Sequence, residues 1–98
     1  MSAKSSPSPY RSSPIFDERS LPTALQREHR TKVGVWGVIR VLEGRLKLRF
    51  LPSGEEQMLA PQTPGLVLPD QPHLVEVCGP VSVQVDFYNE PPDLNREP

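Results

Sequence analysis

Arg27–Leu51, REHRTKVGVWGVIRVLEGRLKLRFL, is the stretch whose reading decides the fold. Its middle part, Lys32 to Leu42, carries Val33, Val35, Trp36, Val38, Ile39, Val41 and Leu42. That is too apolar on both sides for a surface strand, so it is expected to lie between layers. From Arg45 to Leu51 the pattern changes to strict alternation, with Leu46, Leu48 and Phe50 on one side and Arg45, Lys47 and Arg49 on the other. Period two is the signature of a half-buried β-strand. Between the two runs, Glu43 and Gly44 read as a tight turn, because glycine accepts positive φ without a Cβ clash. The stretch is thus expected to fold as a hairpin of two antiparallel strands. Gly34 and Gly37 within it suit a bulge or a close backbone approach.

Working outward, the same signals recur at short intervals. Glu56 to Leu59, Leu66 to Leu68 and His73 to Val77 read as short strands separated by LPSGEE, PQTPG and PDQP. After CGP, read as another turn, Val81, Val83, Val85 and Phe87 form one face and Ser82, Gln84, Asp86 and Tyr88 the other. The 13 prolines argue against long helices, since an interior proline removes a donor and clashes with the preceding turn. LPTALQREH is the one helix-like piece, with an irregular arm as the alternative. Short strands with frequent turns indicate an all-β fold, an antiparallel barrel or jelly roll.

The Ser/Pro-rich residues 1–13 and the NEPPDLNREP end, residues 89–98, read as flexible tails around a single domain at 14–88, about 75 residues long. So small a core favours supplementary burial, for which a homodimer is the natural device. Charge is nearly balanced, 11 Lys plus Arg against 12 Asp plus Glu, which excludes a whole-protein field for nucleic acid or anionic membrane. The cluster Arg40, Arg45, Lys47 and Arg49 is best read as a solvated strand face. Cys78 has no second cysteine to pair with, no apolar leader opens the chain and no run is long enough to span a membrane. A cytoplasmic protein is the reading that follows. Cys78 itself reads as a turn or core residue, with a reactive thiol as the alternative.

Phosphate loops, nucleophile elbows, CxxC pairs and HExxH motifs are all absent from the sequence. What remains are His29, just before the long apolar run, and His73, just after a proline-bounded turn. If the barrel mouth gathers them, a divalent ion is the chemistry to consider, with Glu28, Glu76 or Asp86 as a third ligand. The 44 positions between the two histidines make spacing alone a poor argument. Lys32 could place a cation near an oxyanion, and Trp36 reads as barrel packing.

Four blocks sharpen this. EHRTKVGVWGVIRVLEGRLKL, the preceding PIF and LP, then LVLPDQPHLVEV and finally VSVQVDFY stand in the order and at the spacing of the small cupin-like domain of the tellurite-resistance protein B and YeaR family. The chain resembles that family from Pro14 to Tyr88. The resemblance implies a cupin-like double-stranded β-helix, with His29 and His73 at the two family histidine positions near the barrel mouth, where cupins hold a divalent metal. Zinc, nickel, manganese and iron are the ions it suggests. Two departures stand out: Thr31 occupies the place two residues after His29 where a full cupin motif has a second histidine, and Pro72 stands where the family often has tryptophan.

Two functions follow. One is a small protein binding a divalent metal, a small molecule or an oxyanion in tellurite or other stress resistance. The other is a non-catalytic accessory or interaction module, dimeric in one version, whose histidines are structural. Metal-assisted catalysis is a third reading, but fold does not fix function.

Overall fold

A computed structural model describes residues 7–94, and the outermost parts of the two expected tails, 1–6 and 95–98, lie outside them. The chain forms β1 (Arg11–Ser12), β2 (Phe16–Asp17), a single 3-10 turn (Thr23–Gln26), β3 (Trp36–Phe50), β4 (Glu56–Leu59), β5 (Gly65–Val67) and β6 (His73–Tyr88). All pairings are antiparallel. The strand path is β1-β6-β3-β4, with β2 also on β6 and β5 also on β3. The all-β expectation holds at that level; these pairings give one antiparallel sheet and do not by themselves close a barrel.

The expected hairpin does not form. Trp36–Phe50 is one continuous 15-residue strand, and its partner along the whole length is β6, itself 16 residues long, from Trp36↔Tyr88 at one end to Phe50↔His73 at the other. Both supposed turns, LEGRL and CGP, are places where these two strands kink against each other. Leu42 is an extra residue between the pairs Val41↔Val83 and Glu43↔Ser82. From Gly44↔Val81 to Leu46↔Val77 β6 advances four residues while β3 advances two. Such insertions bend a strand and raise its twist. The extra residue on β3 also switches the parity of its inward side chains, from Ile39 and Val41 to Leu46, Leu48 and Phe50, so one core serves both halves. Leu42, left over by the switch, is 43% exposed.

Glycine misled the reading because a positive φ suits a tight turn and a bulge equally. Gly44 has φ of 81°, and a Cβ there would collide with the carbonyl oxygen of Pro80 on the facing kink. The Val81 amide, displaced from regular pairing, donates instead to Glu18 Oε1 at 3.1 Å. Two further limits move. The run beginning at Lys32 starts as a turn, closed by Val35 N–H to the Lys32 carbonyl, and Val33 is 83% exposed. At the other end Arg11–Ser12, read as tail, is a strand on β6.

Val41, Leu46, Leu48, Leu59, Val81 and Val83 anchor the core, and Leu21 joins them from the segment before β3. Trp36 is half-buried on the face of β3 away from this cluster, shared with Val38 and paired with the buried Tyr88. Gly44→Ala is expected to cost well over 2 kcal/mol, since the steric clash adds to the ~1–2 kcal/mol of left-handed strain. Gly54→Ala, at φ 79° with open space around it, should cost only that strain. Urea unfolding of the two variants checks the difference; equal losses would contradict the opposed kinks.

Candidate functional site

The site is built on the free edge of β6. Five contacts lay the N-terminal segment along it: Arg11↔Phe87 and Ser12↔Asp86, then Ser13 N–H to the Val85 carbonyl at 2.8 Å, then Phe16↔Val83, then His29 opposite His73. Covering an edge removes a template for unwanted pairing. It also arches residues 10–35 over the inner face of the sheet. Between the two lies a cavity of about 530 Å³, with Ile39, Val67, Val75 and Val83 on the sheet side and Phe16 and Leu25 on the segment side. That volume falls within the roughly 300–1,000 Å³ typical of small-molecule sites.

His29 and His73 meet on one wall of this cavity. His29 N–H donates to the His73 carbonyl at 2.8 Å, and His73 N–H returns the bond to the His29 carbonyl at 2.9 Å. Residues that exchange both bonds stand directly opposite and present their side chains on the same face. The rings therefore touch edge to face, with centroids 5.5 Å apart. Thr31 and Arg30 fix the approach. Thr31 Oγ1 donates to the Leu68 carbonyl and accepts from the Asp70 amide, both at 3.3 Å, and Arg30 reaches the Asp70 carbonyl at 3.2 Å.

His73 is 4% exposed. Its Nδ1 lies 2.8 Å from the Gln71 carbonyl, which can only accept, so Nδ1 carries the proton and Nε2 the lone pair. Burial is the main cause holding its pKa below the usual 6.5, with His29 nearby adding to it and the Gln71 bond working against it. The pair thus offers a neutral, oriented imidazole acceptor at the edge of an apolar cavity.

Of the five metal-ligand candidates, the structure brings together His29 and His73 and leaves the three carboxylates elsewhere. Glu28 precedes His29, points to the other side and sits exposed, 3.4 Å from Arg30. Glu76 is on the outer face of β6, where the Arg49 guanidinium lies 2.8 Å from Oε1 as an ion pair. Asp86 faces outward as well, holding Arg40 Nε at 2.6 Å and Ser12 Oγ at 2.6 Å, while Arg40 also donates to the Tyr88 hydroxyl. Among the described residues no three His, Cys, Asp or Glu side chains gather as a metal-binding group. Two imidazoles do not supply the three or four protein donors of a usual zinc site. Cys78 is an exposed free thiol in the β6 kink, and the Lys47 and Arg49 side chains are paired with Glu56 on the outer face, as a solvated strand requires.

Residues 11–85 match the TehB-like domain. The chain belongs to that family. The TehB-like domain is 45% identical over 38 residues to a Haemophilus influenzae protein named "Probable S-adenosyl-L-methionine-dependent methyltransferase TehB", covering 39% of this chain and 13% of that one. The crystal structure of TehB from Haemophilus influenzae superposes with a TM-score of 0.76 at 31% identity, over 85% of this chain and 31% of that chain. A crystal structure from Escherichia coli K12 superposes with a TM-score of 0.78 over 93% of this chain and 98% of that one. At 17% identity this last likeness speaks for the fold alone. The chain spans less than a third of TehB.

Sequence reading missed Arg11, Phe16 and Leu25 as cavity walls. Arg11 lies in a Ser/Pro-rich stretch whose composition suggests disorder, and its place is set by main-chain bonds to β6 that leave no mark in side-chain pattern.

Two outcomes are expected of the TehB-like domain. Asp86→Ala should cost about 1–3 kcal/mol in urea unfolding, because it removes the carboxylate on which Arg40 Nε and Ser12 Oγ both converge at 2.6 Å. For His73, the unfolded chain takes up a proton near pH 6.5 and the native state does not. Its contribution is therefore complete above pH 6.5 and declines as pH falls, at up to about 1.4 kcal/mol per pH unit, until the native imidazole also protonates. Comparing urea midpoints at pH 7.5 and 5.5 should show a smaller loss for His73→Gln than for the parent chain; equal losses would contradict a buried neutral His73.

Proposed function

We propose that this TehB-like domain is a small-molecule-binding domain of cupin-like architecture, whose ligand occupies the cavity between the β-sheet and the N-terminal arch. The observation that carries this is the cavity itself, about 530 Å³ in a chain of 98 residues, walled by aliphatic side chains and edged by an oriented imidazole pair. A core this small loses dispersion and hydrophobic contact by leaving such a space unfilled, so a ligand would stabilise the fold as well as occupy it. The histidine pair then serves as a polar contact for the ligand. With only two protein donors assembled, zinc, nickel, manganese or iron does not enter this reading as a resident centre. A role in tellurite or other stress resistance is what the family name suggests for the ligand's context.

The accessory-module reading is favoured by one observation: the aligned part is 31% of the TehB chain, so this domain accompanies a larger unit there. Binding a small molecule on behalf of such a unit would make the two readings one.

Ligand-observed NMR against a fragment library tests the proposal. Val85 lines the cavity while its backbone pairs on both sides, so Val85→Trp fills the space from a fixed position. The expected result is a set of fragments that bind the parent chain and not Val85→Trp, with the variant still folded by circular dichroism. No binding fragments, or binding unaffected by Val85→Trp, would overturn it.

A further inference from the structure

We infer that the ligand of this cavity is an organic carboxylate, an anion with an apolar body, whose head is held by Arg11 and Lys32. The inference rests on the cavity being a ligand site and adds the chemical class of the ligand. Three cationic residues line the cavity, Arg11, Arg30 and Lys32, and no aspartate or glutamate does. The whole chain carries a net charge of −1, so this excess is local to the cavity rather than a property of the protein.

The three cations are not equivalent. Arg30 is already bound, to Glu28 at 3.4 Å and to Asp70 at 3.6 Å, and its work is to hold the His29 strand to the loop before His73. Arg11 and Lys32 make no ion pair or side-chain hydrogen bond among the described residues. Arg11 is aimed by register. It stands directly opposite Phe87, a cavity-lining residue, so its side chain leaves the sheet on the cavity face, whereas its neighbour Ser12 turns outward to Asp86. A guanidinium offers paired donors that match a carboxylate, and the Lys32 ammonium adds a compact charge. Behind them the walls are aliphatic and aromatic, which suits an apolar body. Both cations are exposed, so a neutral ligand would gain nothing from them and a cationic one would be repelled.

Calorimetric titration of the full chain at low ionic strength, where exposed charges are least screened, tests this with octanoate, octanamide and octylamine. These share one apolar body and differ in the charge of the head. Octanoate is expected to bind about tenfold more tightly than octanamide, with octylamine weakest. In Arg11→Gln/Lys32→Gln, octanoate should fall to the octanamide level while octanamide is unchanged. Arg45→Gln/Lys47→Gln, which removes two cations from outside the cavity, should leave the preference intact. Equal binding of octanamide or octylamine, or a preference that survives the Arg11/Lys32 change, overturns the carboxylate inference and leaves the cavity reading standing. Failure of all three probes while library fragments still bind the cavity also defeats the inference alone; failure of both experiments defeats the cavity reading with it.

Discussion

Everything in this fold hangs on one ladder, the antiparallel pairing of Trp36–Phe50 with His73–Tyr88. Every other strand is attached to one of its two outer edges: β4 and β5 to β3, and β1, β2 and the His29 bridge to β6. A flat ladder of this length would present one apolar face to solvent. The opposed kinks at Gly44 and Gly79–Pro80 bend it, and the parity switch on β3 brings the inward residues of both halves into a single cluster. Because Gly44 cannot carry a side chain without striking Pro80, the bend is tied to the sequence at a position where the two strands touch backbone to backbone.

That architecture explains why the strands were legible and their connections were not. Alternation at Leu46, Leu48 and Phe50, and again along Val81 to Tyr88, reports burial directly, and the burial pattern follows it. A kink and a hairpin turn share their local signals, a glycine at positive φ beside a charged or prolyl residue. The choice between them is made by the partner strand about 40 positions away, which local pattern does not contain. Tyr10 to Ser13 illustrate the same limit. Their ordering comes from main-chain bonds to Phe87 and Val85, to which Ser/Pro composition is blind.

The candidate site divides along the same line. His29 and His73 were singled out on residue type and family position, and cross-strand pairing turns their separation in sequence into ring contact. The carboxylates were chosen by proximity in sequence, and strand alternation sends Glu76 and Asp86 to the outer face, where cations already engage them. What the histidines border is an apolar cavity with unmatched positive charge at its edge. Recognition of a small molecule is the chemistry we propose for it, under an arch of main chain held against β6.

Through-hydrogen-bond NMR couplings across the β3–β6 ladder and the His29–His73 bridge measure this arrangement most directly. Reciprocal couplings between the His29 and His73 amides and carbonyls, together with couplings from β3 to β6 on both sides of Gly44, are the expected result. Couplings joining the two halves of Trp36–Phe50 to each other across Glu43 and Gly44, with none between His29 and His73, would show a hairpin and a free N-terminal segment. There would then be no arch and no cavity for a ligand to fill.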